Sequence, residues 1–270
     1  MRALSILLLA TGLATAADNP LYVFDNGTGR GELTVQRQVD LTKRTGYAGI
    51  FFSGTKDIPA LVAAHKAADL EVVGIYTGMN LSDPKPSYDP GLPAAIEELR
   101  GTGALITLTI NGKTADKQVN TGDDVAVAVV REVADMAAKA GLKMALYPHY
   151  GMHVARVEDA LRVIEKAARP NLGLVFNLCH WLRSGDEANL DLRLKQALPH
   201  TFMVSINGAE HDGDWDRLIQ PLDRGAYDTK AFVAKVRRLG YQGPIALQCY
   251  NVKGDREENL RHSMAAWRTF

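Results

Sequence analysis

Residues 142–177 read "LKMALYPHYGMHVARVEDALRVIEKAARPNLGLVFN". Leu142 to Tyr147 is an apolar run of strand length, and Val154 to Ala168 carries apolar residues at helical spacing. Leu172 to Asn177 is a second apolar run bounded by polar positions. A buried strand, an amphipathic helix and another buried strand form a βαβ unit, the building block of a parallel sheet. Both strands end in polar side chains, Tyr147 with His149 close behind and Asn177 with His180 close behind.

The same alternation extends in both directions. Strands are expected at Leu21 to Asp25, Tyr47 to Phe52, Glu71 to Thr77, Ala104 to Asn111, Thr201 to Asn207 and Pro244 to Cys249. Helices are expected at Thr34 to Thr45, Pro59 to Asp69, Pro93 to Arg100, Gly122 to Ala140, Ala188 to Leu198, Thr229 to Leu239 and Arg256 to Trp267. Gly46, Gly141 and Gly240 stand where left-handed caps would end helices, and Thr121, Asp186 and Asp228 where helices would start. Eight strand–helix pairs predict a single-domain (β/α)8 TIM barrel, and no linker divides the chain. The stretch "NLSDPKPSYDPGLP" is the one long irregular loop and is expected at the rim of the barrel mouth.

The chain has 270 residues, 46% hydrophobic, with 31 basic and 31 acidic side chains. A net charge of zero offers no field to gather nucleic acid or anionic lipid, so a small neutral ligand is the expected partner. Residues 1–16 have a basic start at Arg2, a short apolar stretch from Leu4 to Leu13 and a small-residue site at Ala14 to Ala16. That is the layout of a secretory signal, too short to span a bilayer. It predicts cleavage after Ala16, a secreted or periplasmic mature chain of residues 17–270 and no membrane insertion. Cys179 and Cys249 read as two structural cysteines, Cys249 facing outward from its strand, and not as a disulfide.

Side-chain size sets the phase of the strands. Bulky Leu174 and Phe176 suit the helix layer, which turns Asn177 inward, and the same test turns Tyr147, Ser205, Asn207 and Gln248 inward. With Asn111 on the fourth strand, these form a ring at the C-terminal ends of the strands, where barrels of this kind carry their chemistry. Asp25 and Asn26 end the first strand in ambiguous phase. Lys143 lies at the start of its strand, on the wrong face, and His153 reads as structural.

From "MALYPHYG", "NLGLVFNLCHW", "FMVSINGAE" and above all "PLDRGAYDTKAFVAKVRRLGYQGPIALQCY", the chain resembles the xylose isomerase-like superfamily of sugar isomerases and epimerases. The resemblance implies that Tyr147, Asn177, Ser205 and Gln248 occupy positions where typical members have Glu, Asp, His and Glu holding one divalent metal. A shift of two residues would put Asn207 at the third position. A phenol, two amides and a hydroxyl lack the anionic oxygens or imidazoles that such cations need, so no metal and no cofactor are expected there.

What remains suits a carbohydrate: hydrogen-bonding Asn111, Asn177, Ser205, Asn207 and Gln248, with Trp181 and Tyr250 as apolar faces for a sugar ring. His149 and His180 are the groups near the mouth that titrate near neutrality. The expected function is metal-independent isomerisation, epimerisation or elimination on a keto-sugar derivative, His149 or His180 as base and Tyr147 as donor. The alternative is a non-catalytic carbohydrate-binding barrel, in which the histidines are hydrogen-bonded loop residues and Tyr147 caps the core. A displaced metal site around Glu210 to Asp216 stays open, and a nuclease is disfavoured by the missing ligands. With Arg217 and Arg224 as the only nearby arginines, a non-phosphorylated substrate is expected. The sequence leaves the oligomeric state undetermined.

Overall fold

The computed structural model describes residues 19–82, 87–112 and 122–270. The expected secretory signal and the expected helix start at Thr121 lie outside them. Eight parallel strands close into a barrel in sequence order: β1 Leu21–Phe24, β2 Gly49–Ser53, β3 Glu71–Asn80, β4 Leu105–Asn111, β5 Lys143–Leu146, β6 Leu172–Asn177, β7 Thr201–Ile206 and β8 Ile245–Leu247. The closing pair, β1 with β8, matches Leu21 to Ile245 and Val23 to Leu247.

Two apolar layers hold this shape. One fills the barrel interior with residues including Phe24, Phe51, Tyr147, Val175 and Met203. The other, larger layer lies between strands and helices and includes Leu174 and Phe176. The period-two reading of β6 was therefore correct. Phe24 and Phe51 meet edge-on at 4.7 Å, and Tyr76 and Tyr147 at 5.0 Å, so aromatic rings plug the barrel beneath its mouth.

Helix ends follow local chemistry. The Thr34 side chain accepts from the Arg37 N–H at the start of Val35–Thr45, and Asp228 does the same for Ala231 before Thr229–Arg238. Gly46 closes the first of these in the left-handed region, φ 87°. Short helices at Asp25–Thr28 and Trp215–Leu218 were not expected, and neither was Leu178–Arg183, which begins directly after β6 and carries Cys179, His180 and Trp181 on a helical turn. The described part of the long loop after β3 packs back on that strand, Tyr88 pairing with Met79.

Both cysteines are free. Cys249 packs on the outer layer as expected, and burial pushes both thiols up to about 12. Lys143 stands 4.8 Å over the Phe202 ring at the N-terminal end of the barrel, away from the mouth. His153 Nε2 donates at 2.9 Å to the buried Asp123 carboxylate, which also accepts from Arg162 and Lys166. This ionic node joins the helix Asp123–Lys139 to the helix Val157–Ala167.

Candidate active site

A cavity of about 280 Å³ opens at the C-terminal ends of the strands, lined by Tyr147, His149, His180, Gln248 and Tyr250 together with Asn26, Arg30, Ser53, Tyr76 and Trp215. The larger recess, about 850 Å³, lies at the other end around Tyr22, Glu71 and Lys143. Chemistry in these barrels belongs to the first of these ends.

His149 and His180 face each other with ring centroids 3.9 Å apart. The backbone of Tyr150 addresses both. Its carbonyl lies 3.1 Å from His149 Nδ1, and its N–H donates to His180 Nδ1 at 3.2 Å. A carbonyl can only accept and an N–H can only donate, so His149 carries its proton on Nδ1 and His180 on Nε2. His149 Nε2 is thus a lone pair and His180 Nε2 a donor. Burial lowers the pKa of His149, and burial together with His149 lowers that of His180 well below the usual value. Both are neutral at neutral pH.

Beneath them, Gln248 Nε2 donates to the Tyr147 hydroxyl at 3.3 Å. Three donors fix that amide by its oxygen: Asn26 Nδ2 at 2.5 Å and the N–H groups of Cys249 and Tyr250 at 3.0 Å. Since Tyr147 accepts from Gln248, its own proton is left to give. Burial raises the Tyr147 pKa well above the ordinary phenol, so it keeps that proton.

The loop after β7 closes the mouth. Gly208 and Gln220 exchange backbone hydrogen bonds, 3.0 and 2.8 Å, and bring Trp215 over His180 with centroids 5.0 Å apart. Gly225 holds the base of this loop at φ 90°, where an added Cβ would lie 2.1 Å from the Ala209 carbonyl oxygen. Arg183 stacks between Tyr150 and Trp215 at 5.4 and 5.7 Å, donates to the Gly213 carbonyl and pairs with Asp214.

Five expected site residues are not in the cavity. Trp181, inside the unexpected helix Leu178–Arg183, turns away from the mouth and packs on Phe176 at 6.0 Å. Asn177 is buried beside it, accepting from the Cys179 thiol at 3.2 Å. The Ser205 hydroxyl is sealed inside the barrel without a hydrogen-bond partner of good geometry among the described residues. Asn207 donates to the Gly208 and Leu218 carbonyls and so anchors the loop. Asn111 is exposed, and its oxygen accepts from Gly112 N–H.

The other direction matters as much. Asn26, Arg30, Ser53, Tyr76 and Trp215 line the cavity although strand phase did not single them out as inward. Asp25, of ambiguous phase in the sequence, is buried behind the wall and accepts from Ser53 N–H at 2.7 Å and Ser53 Oγ at 2.8 Å. Burial raises its pKa against those hydrogen bonds and nearby Arg30.

The donor set does not fit a divalent cation. Gln248 has spent its oxygen and turns N–H toward the protonated phenol, while Asn177 and Ser205 lie outside the cavity. His211, in the loop after β7, binds Glu187 at 2.8 Å and does not reach the histidine pair. Among the described residues no cluster of three or more His, Cys, Asp or Glu side chains forms.

A family model described as xylose isomerase-like TIM barrel matches residues 39–270. Among solved structures, a 3-keto-D-glucoside 4-epimerase from E. coli is similar at 18% identity over 93% of this chain and 100% of that one, TM-score 0.77. The IOLI protein with a bound zinc atom is similar at 17% identity over 92% and 96%, TM-score 0.74. A D-allulose 3-epimerase from Methylomonas sp. is similar at 14% identity over 93% and 98%, TM-score 0.71. No curated protein matches the chain in sequence.

Proposed function

This chain belongs to the xylose isomerase-like TIM barrel family, and from that premise we propose that its mouth carries out metal-independent proton transfer on a sugar derivative bearing a carbonyl group. The observation that carries this reading is the opposite tautomers of His149 and His180 across 3.9 Å.

The chemistry divides between the two rings. His149 Nε2 takes a proton from the carbon beside the carbonyl; the electron pair of that C–H bond becomes a carbon–carbon double bond, and the π pair of the carbonyl moves onto its oxygen. Tyr147 O–H and His180 Nε2–H donate hydrogen bonds to the enolate oxygen so formed. Return of the proton to the other face gives an epimer, return to the neighbouring carbon an isomer, and departure of a β-substituent an elimination product. Similarity to sugar epimerases in fold supports a sugar substrate, and the exposed Tyr250 ring supplies a stacking face.

The direct test is turnover of a panel of keto-sugar glycosides by the mature protein, with and without chelator. Chelator-resistant turnover lost in His149→Ala supports the reading. Sugar binding with no turnover by the unaltered protein would replace it with a carbohydrate-binding barrel. The reading includes export, supported by the N-terminal pattern of Arg2, Leu4 to Leu13 and Ala14 to Ala16. N-terminal sequencing is expected to begin at Ala17, and an intact Met1 on exported protein would contradict cleavage.

A further inference from the structure

We propose that Arg30 is the specificity-determining residue of this mouth and selects a sugar acid, holding the substrate's carboxylate on its guanidinium. This rests on the sugar-directed reading above and narrows its substrate class.

Arg30 is the one formally charged side chain lining the cavity among the described residues, since both histidines are neutral there. It comes from the segment after β1 and is fixed by a single hydrogen bond, Nη1 to Ser53 Oγ at 2.7 Å. Asp25 lies 3.7 Å behind it, fully buried, with both oxygens taken by Ser53. That carboxylate therefore sets the position of Ser53 and Arg30 and does not face the cavity. The remaining guanidinium N–H groups have no protein partner among the described residues, and the side chain is 44% exposed.

A planar guanidinium offers paired parallel N–H groups that match a carboxylate, whereas a sugar hydroxyl can use only one of them. Everything else on the cavity wall is neutral, and the Asp25 carboxyl behind Arg30 has its oxygens turned to Ser53. The cavity, about 280 Å³, is close to the lower end of small-molecule pockets. That volume is on the scale of a single sugar unit, and a carboxylate on it would share the pocket with the histidine pair.

The experiment is calorimetric binding of matched sugars to the mature chain: D-glucuronate against D-glucose, D-galacturonate against D-galactose, and D-mannuronate against D-mannose. In at least one pair the acid is expected to bind about tenfold tighter or more, the size of one charge-assisted hydrogen bond. Added salt should weaken the acid and spare the neutral sugar. Arg30→Gln, shown to be folded by an unchanged melting curve, should erase the preference. Neutral sugars binding as tightly as their acids in every pair would overturn the proposal, as would a preference that survives Arg30→Gln. Neutral sugars binding without preference would leave the sugar-directed reading standing, whereas no binding by either class would remove both.

Discussion

His149 and His180 are held in opposite tautomers by the main chain of the one residue Tyr150, whose carbonyl and N–H each address one Nδ1. The result is a free lone pair and an N–H donor on side chains of the same chemical type, side by side and uncharged. Protonating either imidazole would place a cation in a buried site against its neighbour.

The pH profile should show this. The proposed reaction needs the His149 Nε2 lone pair, and burial lowers the His149 pKa from its usual 6.5. Turnover is expected to stay flat down through pH 6.5 and to fall only at more acidic pH, read from kcat/KM against pH. Stability moves in the same direction: between the folded and unfolded pKa values the unfolded chain binds more protons, so the contribution is present above about 6.5 and is lost as pH falls through that window. An acid limb above 6.5 would show that neither imidazole is the base.

Gln248→Glu probes the other half of the pair. The carboxylate would still accept from Asn26 and the two backbone N–H groups but would no longer donate to Tyr147. The phenol would then point its proton at the carboxylate and away from substrate. Turnover is expected to fall about 100-fold, the size of one lost oxyanion donor, with little change in melting temperature. Unchanged kcat would remove Tyr147 from the reaction.

Asp123→Asn addresses stability. Burial works to raise that carboxyl, but hydrogen bonds from Arg162, Lys166 and His153 outweigh it and bring it down to about 2. Removing the charge leaves three donors around a weaker acceptor, at a cost of about 3 kcal/mol. At about 2–4 °C per kcal/mol for a domain of this size, thermal melting should drop by roughly 10 °C. The wild-type contribution itself should vanish as pH falls from about 3.8 toward 2, where the carboxylate protonates.

Gly27→Ala tests the seam between β1 and β8. An added Cβ would lie 2.7 Å from Cys249 Sγ and 2.8 Å from its Cβ, next to the Asn26–Gln248 pair. Overpacking of this kind costs about 1–3 kcal/mol. Thermal melting should fall and, because Asn26 moves with Gly27, turnover should fall with it.

The barrel and the inward direction of Tyr147, Asn177, Ser205 and Gln248 were legible in the sequence because strand periodicity is local and bulky Leu174 and Phe176 mark the helix layer. How far each inward residue lies from the mouth was not legible. Asn177 is buried beside Trp181, off the cavity, and Ser205 is sealed inside the barrel. Leu178–Arg183 looked like loop sequence, and only its helical turn separates His180, on the cavity, from Trp181, on Phe176. Arg30 follows β1, Ser53 ends β2 and Trp215 follows β7, so their meeting depends on closure of the whole barrel. One local clue was available: Asp25 followed five residues later by Arg30, a buried acid beside a cation.

Because the Tyr150 contacts to the histidines are made by its main chain, its side chain, 44% exposed, is free of that duty. Evolution can vary residue 150 widely and keep the polarity of the pair, with proline the exception because it has no N–H to offer His180. The polarity of the two rings is written in the path of the chain, and a comparison of homologues that tracked only residue identity would overlook it.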